Sequence, residues 1–166
     1  MYKKLLLISF LLISLGLKAN EISFAKPEQF IFGSSLNKVK SNLESFCSSI
    51  NVEKIIPITA PLAKKSQTQI NCSGFIYGGK KRVVELVFQD DQLDIVWILF
   101  PEVEKLDFKN NFEETYGSPT MEIEFGTIFL QANAAIRNNP SEVLFASNRQ
   151  VKVMLNKLKQ QKSGSE

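Results

Sequence analysis

The stretch TQINCSGFIYGGKKRVVELVFQDDQLDIVWILF, residues 68–100, decides the fold of this 166-residue chain. It holds three apolar segments and two short breaks, with the segments at 68–77, 82–88 and 93–100 and the breaks at Gly78-Gly79 and 89–92. Apolar segments of this length joined by tight turns predict an antiparallel meander of three strands. A sheet is therefore expected at the centre of the molecule.

The third of these segments is apolar at nearly every position. As a strand it would carry Leu93, Ile95, Trp97 and Leu99 on one face and Val96, Ile98 and Phe100 on the other. A strand that is apolar on both faces is typical of a central strand covered on each side. We therefore expect either a layer on both faces of the sheet or a partner that packs against one of them.

A helix is predicted before the meander. Ser34 or Ser35 can cap its first amide groups. An apolar stripe follows at spacings of three and four, made of Leu36, Val39, Leu43 and Phe46. The helix should end near Cys47. Residues 51–66, which contain Pro57 and Pro61, predict a loop with room for a short edge strand.

A second helix is predicted after Pro101, where Glu102 and Glu104 favour a helix start. Its buried side should consist of Leu106, Phe108, Phe112 and Tyr116. Gly117 and Pro119 should end it.

A second set of strands should follow this helix. In residues 120–125 we expect Met121, Ile123 and Phe125 to point inward and Glu122 and Glu124 to point outward. The rest of the set is a turn at Gly126, a strand at 128–136, a turn at 138–140 and a last strand at 142–147.

The order helix, three strands, helix, three strands predicts an α+β fold with one antiparallel sheet and both helices packed on the same face. The two half-repeats would span residues 32–100 and 101–148 of a single domain at 20–162. A basic C-terminal helix at 149–162 follows, and residues 163–166 should be frayed.

Composition excludes several classes of function. Histidine is absent, which rules out catalysis with a histidine base and every histidine-containing metal site. Hydrophobic residues make up 44% of the chain, which suits a folded domain. Removing residues 1–19 takes away three lysines and no acid, which leaves 17 basic and 17 acidic residues. A nucleic-acid partner is therefore not expected.

The remaining charges are unevenly distributed. Residues 85–124 hold eleven acidic groups against Lys105 and Lys109, and the segments on either side are basic. Solvated surface is the simpler explanation. The alternative is an acidic surface that assists association with a basic partner.

The first nineteen residues have the three parts of a secretory signal, namely Lys3 and Lys4, the apolar run 5–17, and Ala19 at a cleavage point. An uncleaved anchor helix is the alternative, although the run is shorter than the ~20 residues that a spanning helix needs. The segment has no cysteine to carry a lipid. We therefore predict a periplasmic or secreted protein.

Cys47 and Cys72 are the only cysteines, and exported chains meet an oxidising compartment. A disulfide between them would close a loop of about 25 residues and stabilise the fold by roughly 3 kcal/mol. A catalytic thiol is the alternative, but the chain has no histidine to activate it.

The C-terminal segment 149–162 is basic and has no acidic residue. Its cations are Arg149, Lys152, Lys157, Lys159 and Lys162. Val151, Met154, Leu155 and Leu158 would fall on one side of a helix. A helix docked on the sheet with solvated lysines is the simpler interpretation, and contact with an anionic membrane surface is the alternative.

Two groups of carboxylates are the best candidates for chemistry. Asp90, Asp91 and Asp94 lie beside a strand turn, and Glu122 and Glu124 lie on one face of a strand. Paired carboxylates can hydrolyse glycosides or hold calcium. Aspartates are also ordinary turn residues, and alternating glutamates are typical of a solvated strand. We therefore assign no catalytic residue, metal or cofactor, and a secreted carboxylate-dependent hydrolase is the alternative function.

Aromatic residues are the candidates for an interface. Phe75, Tyr77, Trp97 and Phe100 lie on neighbouring predicted strands. A patch of such rings could anchor a protein partner. Packing in the core is the competing interpretation.

Two stretches of the sequence carry a resemblance to known proteins. One is the start of the first helix, Phe32-Gly33-Ser34-Ser35-Leu36 followed by Val39 and Leu43, and the other is the corner Tyr116-Gly117-Ser118-Pro119. The chain resembles exported helix-plus-meander modules, as in the beta-lactamase inhibitory protein and small outer-membrane-assembly lipoproteins. The resemblance implies a protein that binds through the exposed face of its sheet without catalysis. It does not extend to membrane anchorage or to a particular partner, because the lipid-bearing cysteine is missing.

From these observations we predict an exported, non-enzymatic binding or inhibitory protein of the bacterial envelope or secreted fraction. It would act on a protein partner through its sheet face or its acidic surface. Fold resemblance alone does not establish that function.

Overall fold

The structure, a computed structural model, describes residues 22–163, with side chains through residue 160. Three helices and an eight-stranded antiparallel sheet make up this range, so the predicted α+β class is confirmed. The predicted signal peptide, residues 1–19, and residues 164–166 of the predicted frayed tail lie outside the described residues.

In chain order the elements are α1 (Leu36–Leu43), β1 (Ser49–Lys54), β2 (Gln67–Tyr77), β3 (Lys80–Gln89), β4 (Gln92–Leu99), α2 (Lys105–Tyr116), β5 (Met121–Ile123), β6 (Gly126–Phe129), β7 (Ala134–Arg137), β8 (Glu142–Ala146) and α3 (Asn148–Ser163). Short 3₁₀ helices precede α2, at Glu102–Glu104, and separate β6 from β7, at Leu130–Ala132. The strands are ordered β1-β2-β3-β4-β8-β7-β6-β5. Two antiparallel meanders therefore meet where β4 pairs with β8.

Each half contains four strands. In the first half, β1 overlaps residues 51–66, where a short edge strand was expected within the loop, and it pairs with β2 at the edge of the sheet. The second half has one strand more than predicted. In the second half the predicted strand 128–136 is divided by the 3₁₀ turn and by Asn133, whose φ of +49° is left-handed. Asparagine tolerates that conformation better than most residues.

The predicted turn at Gly126 is wrong, because Gly126 begins β6 and the turn lies at residues 124–125. A Cβ on this glycine would come within 2.2 Å of the Ile136 carbonyl oxygen on the neighbouring strand. Glycine is therefore needed here for close strand packing rather than for a turn.

Helices α1 and α2 pack on one face of the sheet, as predicted. Val39 and Leu43 from α1 and Phe108 and Phe112 from α2 are buried in one cluster with side chains from the sheet. Phe108 stacks on Phe100 with a ring separation of 3.9 Å. The predicted disulfide between Cys47 and Cys72 is present beside this core, with a Cα–Cα distance of 5.5 Å.

Three side chains expected in the core are instead exposed. Phe46 lies beyond the end of α1 and is 44% exposed, Leu106 is 68% exposed, and Phe125 in the turn is 70% exposed. Phe46 lies beyond Leu43, where α1 ends, and Phe125 lies in the β5–β6 turn rather than in a strand. Leu106 is two positions before buried Phe108 and therefore lies on nearly the opposite side of α2. Glu122 and Glu124 are exposed, as expected.

Helix α3 packs on the opposite face of the sheet. Its residues Val151 and Met154 join a second cluster that also contains Val87, Ile95, Leu144 and Ala146. Leu93 is not part of it, contrary to the predicted alternation, and lies in the first core. The reason is a bulge in β4, where Leu93 pairs with Phe88 and Ile95 pairs with Val87, which leaves Asp94 as the extra residue.

Candidate binding groove

A groove with a volume of about 320 Å³ lies beside α3 on the second face of the sheet. Its lining is almost wholly apolar, and one side is open to solvent. The sheet contributes Trp97, Ile128, Ala135 and Leu144, and α3 contributes Met154, Leu155 and Leu158. A volume of this size falls at the lower end of the roughly 300–1,000 Å³ typical of small-molecule sites.

The groove exists because α3 covers only part of its face. The helix packs chiefly on residues of β3, β4 and β8, whereas β5 and β6 contribute Ile123 and Ile128 on the far side. The lining residues Gly126 and Ala135 are small, so the sheet does not fill the space beside the helix. Exposed Phe125 also lines the groove.

A buried polar cluster fixes the first turn of α3, and with it one wall of the groove. The Asp94 carboxylate is fully buried and accepts hydrogen bonds from Ser147 Oγ and Arg149 Nε, each at 2.6 Å. A second Arg149 nitrogen also contacts this carboxylate. Gln89 donates to Gln150 Oε1 at 2.9 Å and thereby joins β3 to the same helix.

Two cations, Arg137 and Lys157, lie among the apolar residues of the groove lining. An Arg137 terminal nitrogen donates to Glu142 Oε1 at 2.6 Å, and its guanidinium carbon lies 4.7 Å from the centre of the Trp97 ring. The side chain is still 38% exposed. Its Nε is buried and has no hydrogen-bond partner among the described residues.

Glu142 is the titratable group beside this arginine. Burial raises its pKa to about 7, and the nearby Glu85 carboxylate pushes the pKa in the same direction. The Arg137 guanidinium opposes both by favouring the charged form.

The three aspartates that the sequence suggested as a site have three different structural roles. Asp90 accepts hydrogen bonds from the amides of residues 64–66, and those bonds lower the pKa of its carboxyl group. Asp91 Oδ1 accepts from the Leu36 amide at 3.0 Å and thereby caps α1. The expected cap from Ser34 or Ser35 is wrong, because Ser35 is the N-cap residue and makes no side-chain capping bond. Asp94 is the buried acceptor below α3.

Some of the acidic residues in segment 85–124 form ion pairs with cations. Glu122 accepts from Lys109 Nζ at 2.7 Å and raises the pKa of that lysine. Glu104 accepts from Arg82 at 2.6 Å and from Lys80 at 3.1 Å, and these bonds lower its carboxyl pKa. Within residues 22–163, no group of three acidic or cysteine side chains is placed to hold a metal ion.

The four aromatic residues expected to form a patch are not brought together at the surface. Phe75, Tyr77 and Phe100 are buried in the first core, whereas Trp97 lies half-buried on the other face. Alternation along the last strand of the meander already placed Phe100 and Trp97 on opposite faces. That signal could have excluded a single patch.

The basic residues of α3 also have separate positions. Arg149 pairs with buried Asp94, Lys157 lines the groove, and Lys152 and Lys159 are exposed. The side chain of Lys162 lies outside the part of the chain for which side chains are described. Among residues 22–163, no helix combines the length and apolar content needed to cross a membrane.

Sequence reasoning missed the groove and its residue Arg137. The strand that is apolar on both faces was one signal for it, and the small residues Ala132, Ala134 and Ala135 were another. Neither signal shows that α3 stops short of covering the second half of the sheet.

No family model, curated protein or solved structure matches this chain. The resemblance to the beta-lactamase inhibitory protein and to the small lipoproteins therefore stays a prediction.

Proposed function

We propose that this is an exported, non-enzymatic binding protein whose ligand occupies the groove between the sheet and α3. The observation that carries the proposal is an apolar groove left open by the helix that forms one of its walls. Keeping apolar surface in water costs roughly 25 cal/mol per Å², so a ligand that covers this surface gains affinity from the burial.

The charged groups favour binding over catalysis. All three aspartates already have structural partners. Asp90 accepts from loop amides, Asp91 caps α1, and Asp94 pairs with Arg149 at the start of α3. The charged residues that line the groove are the two cations Arg137 and Lys157. Such groups suit the recognition of an anion better than general acid and base catalysis, which needs a positioned group that gains and loses a proton.

Export is supported by the disulfide between Cys47 and Cys72, because such bonds persist in oxidising compartments. The intact mass of the exported protein tests this part. We expect residues 1–19 to be absent and both thiols to resist alkylation until the protein is reduced. Retention of those residues, or alkylation without reduction, would contradict it.

Binding at the groove can be tested with a neutral apolar dye, because Trp97 is the only tryptophan and lines the groove. We expect saturable energy transfer from Trp97 to the dye. Ala135→Phe places a ring on the groove floor and should weaken binding at least about tenfold, the equivalent of ~1.4 kcal/mol. The control Val103→Phe adds the same ring at a position that is 91% exposed and should change nothing.

Ala135→Phe could perturb the fold, so Leu158→Glu provides a second change at the α3 wall, at a half-buried position. Thermal melts identify the variants that remain folded. Equal dye affinity in the wild type and in a folded groove variant would contradict binding at this site.

A further inference from the structure

The groove lining has almost no polar atoms to offer a ligand. Its floor strands pair with each other, β6 with β7, β7 with β8 and β8 with β4, so their backbone groups are already used in the sheet. A peptide lying here would lose water from an amide and a carbonyl at each residue without gaining partners. A methylene chain carries no such groups and avoids that cost.

The charges beside the groove favour a ligand with an anionic end. Arg137 and Lys157 line the groove through their apolar stems, which places their charged ends at its rim, and the described lining residues include no carboxylate. Arg137 gives one terminal nitrogen to Glu142 at 2.6 Å, and its side chain remains 38% exposed. The exposed part of its guanidinium therefore has N–H donors left for charge-assisted hydrogen bonds to a carboxylate.

The size of the groove suits a ligand with one chain. Its volume of about 320 Å³ is at the lower end of the range typical of small-molecule sites. This space suits one linear chain of medium length better than the two chains of a phospholipid.

We infer that the ligand is a free, single-chain anionic amphiphile of the fatty-acid class, with its chain in the groove and its carboxylate at Arg137 and Lys157. The inference rests on the proposed function, because it names the ligand of the same groove. A membrane surface is the competing occupant, but a bilayer presents headgroups first, and this site is a recess whose apolar wall must contact the chain directly.

The test uses the full exported chain with linear alkyl carboxylates of about eight to sixteen carbons, each below the concentration at which it forms micelles. Binding is followed by Trp97 emission and by calorimetry. Affinity should rise about fourfold per methylene, the equivalent of ~0.8 kcal/mol, and level off once the groove is full. The matched alkyl alcohols should bind about tenfold more weakly, because they lack the charge-assisted hydrogen bonds.

Variants separate the two ends of the site. Lys157→Gln should reduce the preference for carboxylate over alcohol several-fold and leave the dependence on chain length intact. Lys152→Gln is the matched control, because it removes an exposed lysine of the same helix that does not line the groove. The double change Arg137→Gln with Glu142→Gln removes the arginine without leaving a buried unpaired carboxylate, and it should abolish most of the preference.

The outcomes distinguish this inference from the proposed function. Equal affinity for carboxylates and alcohols would overturn the anionic end, and binding to anionic vesicles without binding to free carboxylates would overturn the free amphiphile. If the neutral dye enters the groove but no alkyl carboxylate binds, the ligand class is wrong and the binding function stands. If neither the dye nor the carboxylates bind, the proposed function fails as well.

Discussion

The two faces of the sheet are built differently. On the face covered by α1 and α2, the largest fully buried side chains are six phenylalanines, Phe30, Phe88, Phe108, Phe112, Phe129 and Phe145. On the face covered by α3, four small or aliphatic residues are buried, a polar cluster fixes the helix, and a groove stays open beside it. We therefore expect the first face to supply most of the stability, whereas the second face leaves a groove open.

The largest expected contrast between the faces comes from one residue type. Phe112 is fully buried and contacts the rings of Tyr116, Phe129 and Phe145, whereas Phe125 at the groove is 70% exposed. Phe112→Ala should lower the free energy of unfolding by about 4 kcal/mol, since it leaves a cavity in a packed core. Phe125→Ala should change it by less than about 0.5 kcal/mol.

Urea unfolding monitored by circular dichroism measures both changes. Similar losses in the two variants would show that the groove face is as important to stability as the aromatic core, and the contrast between the faces would then be wrong.

The second contrast lies within α3, between its docked first turn and its exposed side. Arg149→Met removes the ion-pair partner of the fully buried Asp94 carboxylate, which keeps its bonds from Ser147 and Gln89. We expect a loss of about 3 kcal/mol, because an uncompensated charge stays buried. Lys152→Met, three residues further along an exposed side, should be within about 0.5 kcal/mol of the wild type.

Hydrogen exchange adds a local measurement to this pair. Arg149→Met should speed exchange in α3 more than in α2, because the ion pair holds only the helix of the second face. Equal acceleration in both helices would indicate a general loss of stability and no specific role in docking α3.

The fold was largely predictable because its signals are local. Strands β2, β3 and β4 follow from apolar segments separated by Gly78-Gly79 and by a polar turn, and the disulfide follows from an even cysteine count. The errors arose where a distant contact decides the outcome. Asp91 caps a helix that begins 55 positions earlier in the chain, and the bulge at Asp94 moves Leu93 to the other face.

The candidate site was less predictable for the same reason. Arg137 and Lys157 are separated by nineteen intervening positions and lie in one groove only because α3 turns back over the sheet. Some of the carboxylates that stood out in the sequence accept hydrogen bonds at a helix cap, some form ion pairs, and others face solvent. Their spacing in the sequence does not reveal which of these roles each carboxylate has. The groove is the part of the sheet surface that α3 does not cover. Residue types alone do not show how much of the sheet a helix covers.

The smallest contrast concerns pH and tests the charge buried at the edge of the groove. Glu142 ionises near pH 7 in the folded protein and near its ordinary value of 4.5 when unfolded. Between these values the unfolded chain has released a proton that the folded chain retains, so the free energy of unfolding should fall as pH rises, by roughly 2–3 kcal/mol between pH 5 and pH 8. Glu142→Gln removes this titration while keeping an oxygen that can accept from Arg137.

Relative to Glu142→Gln, the wild type should therefore become less stable from pH 5 to pH 8. Urea unfolding at each pH measures this change. Glu124→Gln, at an exposed glutamate of the β5–β6 turn, should follow the wild-type curve across the same range. If the curves of wild type and Glu142→Gln run parallel, Glu142 is ionised throughout, and its pair with Arg137 outweighs its burial. Arg137 would then carry less free charge toward the groove, and Lys157 would be the main contact for an anionic ligand.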